Sequence, residues 1–265
     1  MTAITISNLA WEKYEDTAVF KLIQDAHIHS LEISIFRDSN DFSSTEKIIK
    51  QLAPYGIKVV ALQSLLFRHS ELYLFQQKKS REQMLDHLLK VISFAHRTGV
   101  KNIIFGCPKN KIRGDMAYQE AFQIAVNFFS RLAQHCESLN IIFCIEPTPS
   151  IYGADFICNT EEAVKLVRAC DNKFLRVNFD LGASITNKEN IKDTILKNAE
   201  HIGHFHISEP FLKAIRLNSL FHKGISKIIR HSAYKGPISI EMLPKETNNI
   251  ESIKRTLSFV QEIYT

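Results

Sequence analysis

The stretch FLRVNFDLGASITNKENIKDTILKNAEHIGHFHI, residues 174–207, contains two strand-like runs separated by a segment of helical length. Each run ends in a side chain that can bind a metal ion, Asp180 in the first and His206 in the second. Two further runs have the same form, since IIFCIE ends in Glu146 and ISIE ends in Glu241. A carboxylate at the buried end of a strand is costly unless it is paired or bound to a cation. The repetition therefore indicates a metal-dependent enzyme.

The whole chain repeats this alternation of β-rich runs and helical patterns. Strands are predicted at residues 3–7, 29–35, 57–66, 101–106, 141–146, 174–180, 202–207 and 237–242. Between them, apolar residues recur at helical spacing, as at Met84, Leu88 and Ile92. No linker-like stretch divides the chain, and no Gly-rich phosphate motif follows the first strand. Eight strand–helix units predict a closed (β/α)8 TIM barrel of the α/β class, forming a single domain over residues 1–265.

Composition and charge restrict the class of protein. The hydrophobic fraction of 45% is sufficient for a large core, and the net charge of +5 comes from Lys and Arg scattered among Asp and Glu. Without a basic cluster, no nucleic-acid partner is expected. The five cysteines have no CxxC spacing, which suits reduced thiols and a cytoplasmic location. No signal peptide or apolar run of transmembrane length is evident, so no membrane association is expected.

The four strand-end side chains are predicted to meet, because the C-terminal ends of barrel strands converge on one mouth. They would bind one divalent ion there: Glu146, Asp180, His206 and Glu241. Three carboxylates and one imidazole favour Mn²⁺, Mg²⁺ or Co²⁺, with Zn²⁺ as an alternative. Such an ion acts as a Lewis acid on a substrate carbonyl, and either glutamate is suited to acid–base work at the neighbouring carbon. The alternative is that these side chains are unrelated helix N-caps. That alternative explains a single strand-end carboxylate, but it explains four strand-end side chains in succession poorly.

Further candidates surround this predicted centre. His204 lies two residues before His206 and shares its face at a deeper level, so it is predicted to support a ligand from behind. Segments 67–80 and 107–116 are longer than turns require and are expected on the catalytic face. Substrate contacts are predicted for four basic side chains, with a solvated basic surface as the alternative: Lys109, Lys111, Arg113 and, after strand 2, Arg37.

A series of short motifs runs along the chain: FGCPKNK (105–111), EP (146–147), YGADF (152–156), NTEEA (159–163), NFDLGA (178–183), HFHISEP (204–210) and SIEM (239–242). Together they resemble the xylose isomerase-like TIM-barrel superfamily of sugar isomerases and epimerases, which also includes endonuclease IV-like enzymes. The resemblance implies that the four strand-end residues bind one divalent metal. It also implies that Glu146 and Glu241 exchange a proton with the substrate through a cis-enediolate, on opposite faces in an epimerase. Glu209 resembles an acidic residue on the substrate side.

Two positions depart from the family pattern. Family epimerases usually carry His where this chain has Ala183, and often Arg where it has Leu212, although Lys213 and Arg216 lie nearby. Ketohexose epimerase activity is therefore not assumed. Endonuclease IV-like enzymes need further His and Asp ligands, and residues 211–236 contain no Asp, so AP endonuclease activity is not expected.

The sequence therefore predicts a divalent-metal-dependent isomerase or epimerase of a small sugar or polyhydroxylated carbonyl compound. A metal-dependent dehydratase of an inosose- or dehydroshikimate-like substrate is the nearest alternative, because the same metal and base would serve to expel a β-hydroxyl group. A non-catalytic barrel that keeps the metal is a further alternative. The substrate and the native ion stay open, and so does assembly into a homo-oligomer.

Overall fold

A closed barrel of eight parallel strands forms the centre of the molecule. The computed structural model describes residues 3–11, 16–35, 41–245 and 247–265. The strands are β1 (Ile4–Ser7), β2 (Ser30–Ser34), β3 (Lys58–Gln63), β4 (Asn102–Phe105), β5 (Ile142–Ile145), β6 (Leu175–Asp180), β7 (Ile202–Ile207) and β8 (Ile238–Ile240). Each strand pairs with its neighbour in the chain, and β1 pairs with β8 to close the ring. The predicted (β/α)8 barrel is confirmed.

Helices surround the barrel and connect its strands. In the described part of the chain they are α1 (Thr17–Asp25), α2 (Ser43–Leu52), α3 (Lys78–Thr98), α4 (Tyr118–Leu139), α5 (Thr160–Cys170), α6 (Leu181–Thr186), α7 (Ile191–Asn198), α8 (Ser219–His231) and α9 (Asn249–Tyr264). The connection between β6 and β7 contains two short helices, α6 and α7. None of the helices in the described residues combines the length and apolarity needed to cross a membrane.

Local sequence signals account for where several helices begin and end. At the start of α5, Asn159 Oδ1 accepts a hydrogen bond from the amide of Glu162 at 2.9 Å, and the Glu162 carboxylate accepts from the amide of Cys158 at 2.8 Å. These reciprocal bonds form a capping box. Helix α3 ends at Gly99, whose φ of 78° is a left-handed conformation that glycine adopts without steric cost.

The two faces of β6 and β7 carry different side chains. Phe179 and Phe205 are buried with ring centroids 4.9 Å apart. Asp180 and His206 follow them and pair in register. Because successive side chains of a strand point to opposite faces, these polar groups lie on the other side of the sheet from the phenylalanines. The apolar face packs against the surrounding structure, and the polar face is directed into the barrel.

Each predicted ligand lies at or beside the end of its strand: Glu146 follows β5, Asp180 ends β6, His206 is the penultimate residue of β7, and Glu241 follows β8. The two glutamates continue the ladder of their strands. The amide of Glu146 donates to Phe105 O at 3.0 Å, and the amide of Glu241 donates to Ile207 O at 2.9 Å. Their side chains are therefore held at the rim of the sheet.

The loops after β3 and β4 are joined to each other. Asn110, buried in the β4 loop, donates from Nδ2 to His69 O at 2.8 Å and to Leu72 O at 2.7 Å. In return, the amide of Leu74 donates to Asn110 O at 2.9 Å. These three bonds connect the two long segments predicted for the catalytic face, so that they form one continuous wall.

Candidate metal centre

Four side chains converge at the mouth of the barrel, and their ligating atoms lie within 4.8 Å of one another: Glu146, Asp180, His206 and Glu241. Nδ1 of His206 is 3.1 Å from Glu146 Oε1, 3.2 Å from Glu241 Oε2 and 3.7 Å from Asp180 Oδ2. The glutamate of β5 is half-buried and the other three side chains are buried. The structure thus brings together the four residues that the sequence predicts as ligands.

Glu32, on β2, lies behind this centre and was not predicted from the sequence. It is completely buried, and one of its oxygens is 2.9 Å from Nε2 of His204. Nε2 of His206 lies 3.0 and 3.2 Å from the two carboxylate oxygens. An ionised carboxylate only accepts hydrogen bonds, so both imidazoles are assigned Nε2–H donors. His204 therefore contacts Glu32, and its supporting role remains a prediction.

The orientation of His206 leaves several hydrogen-bond acceptors close together in the centre. With Nε2 donating to Glu32, the atom facing the three carboxylates is Nδ1. A neutral imidazole has a lone pair at that atom, and the oxygens opposite it are also acceptors. Asn178 Nδ2 is 2.6 Å from Glu146 Oε1 and 3.1 Å from His206 Nδ1, so it offsets part of the repulsion among these four acceptor atoms. The remaining repulsion is relieved by protons on the imidazole or the carboxylates, or by a cation.

The pKa values of the ionisable groups in the centre indicate the same need for protons or a cation. Burial, together with the charges of Glu146 and Glu241, raises the pKa of Asp180 to about 7. Burial also raises the pKa of Glu241. Burial alone lowers the pKa of His206, but the surrounding carboxylates, Glu32 foremost, bring it well above the usual range. Burial likewise opposes ionisation of Glu32, yet the two histidines hold its pKa below the usual range. These pKa shifts favour bound protons on the centre when no cation is bound there.

The donor set fits a divalent cation. Three carboxylates and one imidazole nitrogen converge, and a buried carboxylate holds the other imidazole nitrogen, as is usual for a metal-ligating histidine. A second cluster of metal-capable groups consists of Glu32, His204 and His206. There the single carboxylate already accepts hydrogen bonds from both imidazoles, so its charge and its oxygens are engaged. The mouth cluster is the one that leaves acceptor atoms facing each other.

The Glu146 carboxylate is fixed from two sides. Asn178 Nδ2 donates to Glu146 Oε1 at 2.6 Å. On the other side Gly106 leaves room for the second oxygen, because a Cβ at residue 106 would overlap Glu146 Oε2. Glycine here therefore allows the close approach of the Glu146 side chain, and its backbone is not left-handed.

Replacing Gly106 with Ala is expected to displace the Glu146 carboxylate and to weaken Mn²⁺ binding by about tenfold, the lower end of the loss usual for disturbed ligand positioning. Isothermal titration of metal-free protein with Mn²⁺ measures the change. Gly224→Ala in α8 is the matched control, since a Cβ there meets nothing within 4 Å. Unchanged affinity in the Gly106 variant would show that Glu146 is not held by this contact.

A cavity of about 210 Å³ opens at the centre and is lined by Glu146, Asp180 and Glu241. The opposite part of its wall includes Gln63 and Ser64 from the end of β3. A second cavity of about 370 Å³ adjoins the first, and the two share these lining residues: Pro108, Thr148, Tyr152, Asp180, Ala183 and Leu212. A small molecule that contacts the carboxylates therefore has room to extend sideways.

The basic residues predicted to contact a substrate have other positions. Lys111 is buried and donates from Nζ to Glu146 O at 2.8 Å. The Arg113 guanidinium donates to three backbone carbonyls, including Met116 O at 2.6 Å. Neither lines either cavity, and the substrate contact stays a prediction for both. Lys109 is exposed and also lines neither cavity, and Arg37 lies outside the described residues.

Lys111 supports Glu146 through the backbone. Burial lowers the pKa of Lys111 to about 8, against the opposing charge of Glu146. Replacing Lys111 with Met removes the donor to Glu146 O and is expected to weaken Mn²⁺ binding by about threefold to tenfold, in line with a net 0.5–1.5 kcal/mol for one hydrogen bond. Lys109→Met, at an exposed position two residues away, is the control. Equal titration curves for the two variants would contradict this positioning role.

Glu209 and the two departing positions lie beside the centre. Glu209 is buried and lines the second cavity, but its carboxylate accepts hydrogen bonds from Nε of Arg216 at 2.8 Å and from the amide of the same residue at 3.2 Å. Arg216 is thus engaged with Glu209. Ala183 and Leu212 line both cavities, so the predicted loss of polar contacts falls within the mouth. A substrate contact by Glu209 remains a prediction.

Solved structures with the same fold include sugar epimerases. The apo form of 3-keto-D-glucoside 4-epimerase, YcjR, from E. coli superposes with a TM-score of 0.80 at 13% identity, over 99% of this chain and 100% of that chain. D-Psicose 3-epimerase from Clostridium cellulolyticum H10, with D-tagatose, gives 0.80 at 14% identity, over 100% and 99%. D-Allulose 3-epimerase from Methylomonas sp., in complex with D-allulose, gives 0.79 at 12% identity, over 99% and 97%. At such identities the likeness establishes the fold.

Sequence comparison assigns the family. No curated protein matches the chain significantly. The family model described as xylose isomerase-like TIM barrel matches residues 20–263, which extends from α1 to the last turn of α9. This agrees with the motifs between Phe105 and Met242 and with the closed barrel. The chain belongs to the xylose isomerase-like TIM barrel family.

Proposed function

We propose that the protein is a divalent-metal-dependent isomerase or epimerase of a small sugar or another polyhydroxylated carbonyl compound. The observation that carries the proposal is the convergence of Glu146 and Glu241 with Asp180 and His206 around one point that borders a cavity. Strands β5 and β8 lie three positions apart in the barrel, so the two glutamates approach that point from different directions. This arrangement suits proton transfer on two faces of one bound molecule.

A bound divalent ion would supply Lewis-acid stabilisation of the negative charge that develops when a proton leaves the carbon beside a carbonyl. The protein's own part is the proton transfer. One glutamate removes the proton, and in an epimerase the other delivers a proton to the opposite face of the same carbon. In an isomerase the proton is returned to the neighbouring carbon.

The hydrogen bonds of the three carboxylates distinguish their roles. Asp180 Oδ1 accepts from the amide of Ala183, and Oδ2 accepts from Ser208 Oγ at 2.7 Å. Both oxygens of Asp180 are thus held by protein donors, which suits a ligand. Glu241 has His206 as its ion-pair partner in the described structure, and Glu146 is held at one oxygen by Asn178. We therefore assign the acid–base pair to Glu146 and Glu241.

The substrate class is supported by the names of the fold's relatives. The three structures described above are epimerases of sugars, and two of them were solved with a ketose. Their identities of 12–14% extend that class to this chain as a proposal. For the dehydratase alternative, a further group must protonate a leaving hydroxyl. Glu209, the additional carboxylate of the mouth, is already paired with Arg216, so isomerisation is preferred.

Proton exchange with solvent tests the proposal. Metal-free protein is reloaded with Mg²⁺, Mn²⁺ or Co²⁺ and incubated in D₂O with a panel of ketoses, and products are followed by NMR and mass spectrometry. We expect deuterium at a carbon beside the carbonyl and a product that otherwise conserves the mass of the substrate. Loss of water identifies the dehydratase instead. Absence of exchange with every ion and ketose, in protein that binds the ion, would contradict an enzymatic role on this class.

A further inference from the structure

The second cavity has a mainly apolar wall. Besides its border with the centre, it is lined by Pro108, Tyr152, Ala183, Phe211 and Leu212. Its volume of about 370 Å³ exceeds that of the first cavity, about 210 Å³, into which the carboxylates project. A molecule held at the centre therefore has room to extend on the side of β6 and β7, against these apolar groups.

Apart from the hydroxyl of Thr148, the polar side-chain groups of this wall already have hydrogen-bond partners in the protein. Both oxygens of Asp180 accept hydrogen bonds from the protein, and so do both oxygens of Glu209. The hydroxyl of Tyr152 accepts from the amide of Phe211 at 2.9 Å. A hydroxyl group placed here would lose water and gain few partners, so it is disfavoured relative to an apolar group.

The wall is held in shape by its own contacts. Phe211 and Leu212 both have left-handed backbone angles, with φ of 62° and 50°. The amide of Leu212 donates to Glu209 O at 2.9 Å, and Leu212 O accepts from the amide of Leu243 at 2.8 Å. The rings of Tyr152 and Phe211 meet edge to face with centroids 5.2 Å apart. A conformation that is uncommon for these residue types is thus stabilised where it forms the cavity.

Phe211 also leaves apolar surface uncovered. Its side chain is 55% exposed although it lines the cavity. An apolar group of a bound molecule would cover part of that surface and contact Leu212 and Tyr152 at the same time. Burial of one additional methylene in such a pocket is worth about 10- to 200-fold in discrimination between substrates.

We infer that the substrate carries an alkyl or aryl substituent close to its reacting carbons, and that Ala183, Leu212, Phe211 and Tyr152 bind this group. The inference rests on the proposed function for the reaction itself and adds the class of substrate. It accounts for Ala183 and Leu212 as parts of one apolar subsite. The recognised molecule is then a polyhydroxylated carbonyl compound with one apolar end.

Two ketoses that differ only at one terminal group test the inference. The first carries a hydroxymethyl group at that position, and the second carries an ethyl group, which has a similar size. With Mg²⁺-loaded protein in D₂O, we expect kcat/KM for proton exchange to be at least about tenfold higher for the ethyl compound. Phe211→Ser and Leu212→Arg are each expected to reduce that preference to about threefold or less. Leu220→Ser, at a side chain that is 84% exposed and lines neither cavity, is the control that keeps it.

The experiment distinguishes a failure of the apolar subsite from a failure of the proposed reaction. Exchange with equal or reversed preference for the two ketoses would overturn the subsite and leave the proposed function intact. If neither ketose exchanges, the proposed function is judged by the full panel of ions and ketoses, and saturation-transfer NMR tests the subsite by binding alone. Transfer to the ethyl protons that Phe211→Ser reduces and Leu220→Ser retains would support the subsite. Absence of transfer to those protons would overturn it.

Discussion

Replacing Glu241 with Gln is expected to lower the rate of solvent-proton exchange into a substrate by about 10²- to 10⁴-fold, the usual contribution of a general acid–base group. Gln keeps the volume of the side chain and one oxygen beside Nδ1 of His206, which Glu241 approaches at 3.2 Å. What is lost is the ability to accept and return a proton. Deuterium incorporation measured by NMR gives the exchange rate, and titration with Mn²⁺ establishes that the ion still binds.

Glu262→Gln is the matched control for this experiment, since it removes the same charge from an exposed position on α9. The control is expected to exchange protons at the wild-type rate. If the Glu241 variant binds Mn²⁺ and also exchanges at the wild-type rate, Glu241 is not an acid–base group. If wild-type protein binds Mn²⁺ but exchanges no proton with any ketose tested, the non-catalytic barrel is the better interpretation.

Replacing Glu32 with Gln is expected to weaken Mn²⁺ binding by about 10- to 100-fold, although Glu32 is not one of the four predicted ligands. The buried Glu32 carboxylate accepts hydrogen bonds from Nε2 of His204 and of His206, and so keeps Nδ1 of His206 directed at the centre. An amide accepts at one atom only and lacks the charge. The imidazole of His206 is then free to turn or to change its tautomer. Isothermal titration measures the loss, and circular dichroism establishes that the variant is folded.

Glu82→Gln is the control for Glu32, because Glu82 also accepts two hydrogen bonds, from the Arg131 guanidinium at 2.9 Å each. That pair lies on the surface, with about two-fifths of each side chain exposed, where an ion pair contributes little to stability. The control is therefore expected to retain both its fold and its Mn²⁺ affinity. A folded Glu32 variant with wild-type affinity would remove Glu32 from the support of the centre.

The barrel and the convergence of the ligands were predictable because each ligand follows an apolar run. Glu146 and Glu241 come directly after β5 and β8, and a barrel brings all strand ends to one mouth. The bounds of the strands were less predictable. The run 57–66 yields a strand over Lys58–Gln63 only, since the apolar Leu65 and Leu66 belong to the following loop. A hydrophobic run indicates that its residues are buried. Residues in packed loops are buried as well, so the run does not show where the strand ends.

Glu32 was missed for a physical reason. It stands in the middle of β2, in SLEIS, where a single acidic residue between apolar neighbours resembles a solvent-facing position of an amphipathic strand. Barrel strands are covered on both faces, so a charged residue in mid-strand needs a buried partner. That rule, applied once the barrel was predicted, identifies Glu32 as unusual. Its partners on β7 follow only from the closed ring.

The positions of the side chains in the basic loop after β4 could not be predicted from the sequence. Lys109, Lys111 and Arg113 alternate along a short stretch and are equivalent by sequence. In the structure Lys109 is exposed, Lys111 is buried beneath the backbone of Glu146, and Arg113 binds carbonyl groups. The acceptor of Lys111 is Glu146 O, which lies in another segment of the chain, so the inward position of Lys111 depends on tertiary packing that its local sequence does not show.

The contact of Glu32 with His206 joins the two halves of the chain. All four predicted ligands come from β5 to β8, whereas the carboxylate that orients the imidazole comes from β2. A half-barrel made of β5 to β8 would therefore present the four predicted ligands without the carboxylate that orients His206. Under the proposed cation binding, full affinity is expected only after the ring of strands has closed, and a bound ion would favour the closed ring by mass action. Cation affinity would then be a measure of completed folding in this barrel.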